Sequence, residues 1–176
     1  MGTLIAMLGT TLAVAGCPQH VEAGSVSAQE RREALRASIV LRHLTLWGAR
    51  GAVHGRFGPG PGRRDDGWKS GASVRGYRAV TVRVARRDRE WVSLDYNEGP
   101  SPRLAGGDPV VRFEPCPPGT RRFSDGRPLG AETGWAGGFV VARPGCATFF
   151  VRREGDRRST RVRIGFGVRC RARTAS

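Results

Sequence analysis

The sequence predicts an all-β domain, an antiparallel β-sandwich of Ig-like general architecture, with an N-terminal signal or anchor helix and one further short helix. Three observations carry that reading. From Tyr77 onward apolar side chains recur at every second position; Gly/Pro-rich turns separate the runs; and no helical stretch is long enough for the crossover of a parallel sheet. With 176 residues, 39% hydrophobic and 26% charged, the chain suits one globular domain with extensions. It excludes a large multidomain enzyme and a fully disordered basic protein.

The first element is the uncharged, mostly apolar run Leu4 to Gly16. It has the length of a signal-peptide core and falls short of the roughly 20 apolar residues that cross a bilayer. Gly9, Thr10 and Thr11 dilute it further. At its end Val14-Ala15-Gly16-Cys17 resembles the bacterial lipobox, which implies a diacylglyceryl group on the Cys17 thiol and cleavage just before it. The n-region Met1-Gly2-Thr3 lacks the usual Lys or Arg, so a cleaved secretory signal or a retained membrane anchor is the first alternative, and an N-terminal helix buried in the folded body is the second. N-myristoylation is discounted because Ala6 stands where that motif wants Ser or Thr. The expected organisation is residues 1–17 as signal or anchor, 18–37 as tether and short helix, 38–170 as the β domain and 171–176 as a basic tail.

Within the tether, Ala28 to Ala37 reads as a short helix. Ser27 and Glu30 have capping-box spacing, and Ala34 and Leu35 provide a thin apolar face. Ile39 to Trp47 is β-rich, although a continued helix would also bury Ile39, Leu41 and Leu44. Gly55 to Gly76, with Gly-Pro-Gly-Pro-Gly at 58–62, reads as a mobile loop. It is no phosphate cradle, because alternating prolines remove the N–H groups such a loop needs. Adjacent Asp65 and Asp66 cannot supply the alternating ligands of a calcium loop.

Strands are then expected in Tyr77–Val84, Glu90–Tyr96, Pro109–Glu114, Gly138–Ala142, Cys146–Val151 and Ser159–Phe166. Val80, Val82 and Val84 share one face and must be core, as must Val162, Ile164 and Phe166. Arg161 and Arg163 point the other way, which gives a one-sided sheet with a cationic outer face. Trp135, leading into the Gly138 strand, reads as core.

Of the four cysteines, Cys17 is assigned to the lipid, leaving Cys116, Cys146 and Cys170 as disulfide candidates. Cys146 and Cys170 fall near the same end of a hairpin and are the preferred pair, with Cys116–Cys170 the alternative. No C-x-x-C occurs, so no metal site and no cofactor is expected. A Cys/His nucleophile would have to draw on His20, His43 or His54, all near the N-terminus. Ser124, His43 and Asp125 provide the residue types of a triad without its sequence context, and Asp95 and Glu98 sit in a turn where solvated carboxylates are ordinary. No catalytic residue is assigned.

The net charge of +15 comes from 30 basic residues, of which all but Lys69 are arginine. That skew is what GC-rich coding produces. The charge nevertheless draws the chain to polyanions in a salt-dependent way. Arg83, Arg112, Arg152, Arg161 and Arg163 are the candidate anion contacts. Trp68 is the one aromatic expected in an exposed loop, and no nucleic-acid-binding motif appears, so nucleic acid is disfavoured as a partner.

Phe113-Glu114-Pro115-Cys116-Pro117, Gly134-Trp135-Ala136-Gly137-Gly138-Phe139-Val140-Val141, Pro144-Gly145-Cys146 and Gly165-Phe166-Gly167-Val168-Arg169-Cys170 together resemble uncharacterised exported β-domain proteins of high-GC actinobacteria, taken to be lipoproteins. The resemblance spans about residues 77–170. It implies an extracytoplasmic β domain and brings no activity or site residue with it. The expected function is an exported, envelope-anchored, non-catalytic binding or structural protein, contacting the membrane through its N-terminus and an anionic wall or membrane polymer through its arginines. An envelope enzyme and a basic nucleic-acid binder are the alternatives.

Overall fold

A computed structural model of the chain describes residues 12–17, 28–58, 67–96, 107–119 and 132–170. The fold is all-β with few helices. In chain order the elements are β1 (Ala13–Ala15), α1 (Ala28–Arg36), β2 (Ile39–Val40), β3 (Leu44–Leu46), β4 (Trp68–Lys69), β5 (Ala72–Arg75), β6 (Val80–Val84), β7 (Val92–Asp95), β8 (Val110–Phe113), β9 (Glu132–Trp135), β10 (Gly138–Val141), β11 (Gly145–Arg153) and β12 (Thr160–Phe166). They hydrogen-bond into a five-stranded sheet β1-β8-β6-β11-β12, a three-stranded sheet β4-β10-β7 and a four-stranded sheet β2-β3-β5-β9. Among the described strands only β1 and β8 run parallel.

The alternation expected in β6 and β12 holds. Val80, Val82, Val84, Val162, Ile164 and Phe166 are buried, and Arg83, Arg161 and Arg163 are exposed. β6 pairs with β8 and β11, placing Val82 opposite both Val111 and Val151. Their branched side chains fill the inner face of the sheet. Leu44, Leu46, Val74, Val92, Leu94 and Val141 add further aliphatic core, and aromatic rings fill much of the remainder. Phe166 meets Phe57, Phe139, Phe149 and Trp91 edge-on at 5.7, 5.4, 6.5 and 6.3 Å between ring centres, and a second group joins Phe113 to Tyr96 and Trp135. Edge-to-face packing of this kind satisfies the ring quadrupoles as well as burying area.

The N-terminal reading is corrected. Residues 13–15 form a strand, not a helix, with Ala13 beside Val111 and Ala15 beside Phe113. Ala15 is buried, and Trp135 Nε1 donates to the Gly16 carbonyl at 2.7 Å. The end of the supposed signal segment is thus an edge strand of the main sheet. Residues 1–11 lie outside the described residues. β1 is small and apolar, as a lipobox is, but those properties equally suit a strand lying against the Phe113–Trp135 aromatics.

The expected loop 55–76 also departs from expectation at its ends. Trp68–Lys69 and Ala72–Arg75 are strands, and a 3₁₀ helix over Ala49–His54 precedes them; residues 59–66 lie outside the described residues. Trp68 packs against Phe57 and donates its indole N–H to the Gly48 carbonyl at 3.1 Å, so it is structural. The Gly137-Gly138 pair has a packing reason. β10 is sandwiched between β4 and β7, and a Cβ at Gly138 would run into the Trp68 carbonyl, while Gly137 adopts φ 152° against the Asp95 carbonyl.

α1 forms as expected, although the cap assigned to Ser27 lies outside the described residues. Its thin apolar face is supplemented by polar ties. Arg31 pairs with Glu132 at 3.3 Å, Glu132 accepts from Ser73 Oγ at 2.7 Å, and Ser73 Oγ accepts from Trp47 Nε1 at 3.0 Å.

The turn Arg86-Arg87-Asp88-Arg89 hides an anchor. Asp88 is buried, and its carboxylate accepts the Thr148 backbone N–H at 2.8 Å, pinning the turn onto β11. Asp88→Ala is expected to destabilise the fold by about 1–3 kcal/mol, because it strands a buried N–H. Asp88→Asn, which keeps an acceptor, should lose less. Urea unfolding of the two variants checks the order.

Candidate functional site

Strand alternation builds the candidate site on the outer face of the five-stranded sheet. Register sets its rows. Phe150 of β11 lies between Arg83 of β6 and Arg161 of β12, and Arg83 in turn faces Val110 of β8. In the next row Thr81 of β6 stands between Arg112 of β8 and Arg152 of β11. With strands about 4.8 Å apart, the Arg83 and Arg161 backbones are about 10 Å apart across the Phe150 strand. Thr81, Arg83, Val110, Phe150, Arg152 and Ser159 line a surface cavity of about 390 Å³.

The five candidate arginines are not equivalent. Arg112 is bound to Glu114 at 3.1 Å and to Glu154 at 2.9 Å. The hydrogen bond from Arg112 holds the Glu154 carboxyl below its ordinary range, and Glu154 in turn raises the Arg112 guanidinium. Its charge is answered within the protein, so it contributes little to attracting a ligand. By contrast, no carboxylate lies within salt-bridge distance of Arg83, Arg152 or Arg161 among the described residues. The Arg83 guanidinium lies over the Phe150 ring at 5.1 Å, an arrangement that orients it without neutralising it. Arg163 lies opposite Thr148, one row further along β12.

Phe150 was not singled out by sequence, which expected little outward aromatic surface. The signal was present: in the doublet Phe149-Phe150 within a strand, one ring must point in and the other out. Phe149 is fully buried and Phe150 is half-buried on the outer face. Thr148 also points outward yet is buried, because Arg87 Nη2 approaches its hydroxyl at 3.3 Å and the Ala85 N–H donates to its carbonyl at 2.8 Å.

The cysteines form two disulfides, Cys17–Cys116 and Cys146–Cys170, and none is free. The preferred pair Cys146–Cys170 is present, whereas the alternative Cys116–Cys170 is not. Cys17 differs from the expected lipid attachment: in the structure its sulfur is bonded to Cys116, and a sulfur so bonded has no valence left for a diacylglyceryl thioether. Sequence reasoning set Cys17 aside for the lipobox, and this left Cys116 without its partner 99 residues away.

The residues weighed for catalysis are scattered. His43 precedes β3, and its imidazole is held below its ordinary value first by burial and then by the Arg153 and Arg42 charges. His20, Glu98, Ser124 and Asp125 lie outside the described residues. Asp95 is raised by burial and by the neighbouring Asp108. With both disulfides intact no thiolate is on offer, and no group of three His, Cys, Asp or Glu residues that could hold a metal occurs among the described residues.

No family model and no curated protein matches this chain.

Proposed function

We propose that the protein is an exported, non-catalytic binding protein that holds an anionic polymer of the envelope against the outer face of its five-stranded sheet, with Arg83, Arg152 and Arg161 supplying the charge. The observation that carries the reading is the set of three arginines, without carboxylate partners among the described residues, gathered around one outward aromatic ring. The sheet fixes their backbone positions before any ligand arrives, so binding has only side chains to order. Export is supported by the two disulfides, a chemistry of oxidising compartments. No described helix is long and apolar enough to cross a membrane. On this reading, charge rather than an acyl chain keeps the protein at the envelope. The packing of its sheets about one core is read as a sandwich, with the five-stranded sheet as one layer.

The test is binding of inorganic polyphosphate by the oxidised protein as a function of salt. The triple variant Arg83→Glu, Arg152→Glu, Arg161→Glu is expected to bind about tenfold or more weakly at low salt, and to lose about one unit of log–log salt slope for each phosphate contact removed. Arg112→Gln, at a cation already paired, should change affinity far less. A triple variant that binds like the parent protein would overturn the proposal.

A further inference from the structure

We propose that a second cavity, on the opposite side of β12 from the β11 pairing, is a binding site for a single-chain anionic amphiphile, a medium-chain fatty acid. The cavity has a volume of about 490 Å³ and lies where the 3₁₀ helix Ala49–His54, β12 and the segment leading to Cys170 meet. That volume falls in the range of roughly 300–1,000 Å³ typical of small-molecule sites.

Its walls divide by chemistry. Ile39, Val53, Val162 and Val168 provide an apolar lining, and Val168 keeps 38% of its surface exposed, so part of that lining is open to a ligand. Arg50 and Arg169, on different segments, add two exposed guanidiniums. Neither has a carboxylate within salt-bridge distance among the described residues. An alkyl chain matches the lining and a carboxylate head matches the guanidiniums, which can take it in a planar, bidentate fashion. A polymer of phosphates would leave the apolar lining uncovered, and a neutral lipid would leave both cations without a counter-charge.

The wall is held in place before a ligand arrives. The Cys146–Cys170 disulfide fastens the segment carrying Val168 and Arg169, and the Gly167 N–H donates to the Ala52 carbonyl at 2.9 Å. Such fixing reduces the ordering that binding would otherwise require.

The inference is independent of the polyanion face. Calorimetric titration of the oxidised full chain with octanoate, decanoate and dodecanoate, below their micelle concentrations, is expected to show affinity rising about fourfold per added methylene until the lining is filled. Dodecyltrimethylammonium should bind at least tenfold more weakly than dodecanoate. Arg50→Glu with Arg169→Glu should remove the preference for the anion while leaving polyphosphate binding in place, and Val168→Asp, at a half-exposed position, should weaken dodecanoate at least tenfold. Affinity without chain-length dependence, or equal binding of the cationic amphiphile, would overturn the inference.

Discussion

Replacing Cys17 and Cys116 by serine together is expected to lower the unfolding free energy by about 4 kcal/mol. This disulfide spans 99 residues, and closing a loop of that size removes on the order of 4.7 kcal/mol of chain entropy from the unfolded state. The Cys146–Cys170 bond, spanning 24 residues, is worth on the order of 3.5 kcal/mol by the same reasoning. The first bond has a second consequence. β1 is only three residues long and sits at a sheet edge, so without the covalent link its pairing with β8 has little to oppose fraying. Denaturant unfolding without reductant measures the loss of stability, and hydrogen exchange at Ala15 and Glu114 reads the release of the edge. Alkylation followed by intact-mass measurement separates the two chemistries of Cys17. The two disulfides together require four thiols to appear only on reduction, whereas an acylated Cys17 would carry the added mass of its lipid. Unchanged stability in the double variant would show that the bond does not constrain the chain.

Phe166→Ala is expected to cost about 3–5 kcal/mol, lowering the melting temperature by roughly 10–15 °C. The ring is fully buried and is the common member of four edge-on aromatic contacts, reaching Phe57 before β4, Trp91 before β7, Phe139 in β10 and Phe149 in β11. Its removal therefore loosens contacts between the five-stranded and three-stranded sheets simultaneously. Phe166→Leu, which refills much of the volume, should recover more than half of the loss. Differential scanning calorimetry on both variants tests the argument. A loss for alanine below about 1 kcal/mol would mean that the aromatic group repacks without it.

Much of the sheet was legible because its cause is local. A strand with one wet face writes its alternation directly into the sequence, as Val80-Thr81-Val82-Arg83-Val84 and Val162-Arg163-Ile164-Gly165-Phe166 do, and the arginines of the candidate face were found by the same rule. Asp88 was missed because a charged residue in a basic turn looks solvated until the neighbouring strand is in place. The short strands Trp68–Lys69 and Ala72–Arg75 were missed for a related reason: surrounding glycines outweighed two to four residues of β-forming sequence, whose pairing is settled by β10, β3 and β9. The candidate site was half legible, since arginine positions follow from alternation while their charge state depends on neighbours. Glu114, two residues further along the chain, and Glu154, brought in from the end of β11, together distinguish Arg112 from Arg83.

By itself the sequence determined the β class, the positions of the principal strands, the side of each that faces water, and an excess of arginine on that side. Periodicity and charge act over a few residues, so they survive in a linear string. Tertiary structure alone decided that Ala13–Ala15 lies beside β8, that Cys17 meets Cys116, and which arginines keep an unanswered charge. Those outcomes depend on groups brought together from 42 to 99 residues apart in the chain. The free energy that selects them, from buried area, closed loops and matched charge, exists only once the sheets have assembled.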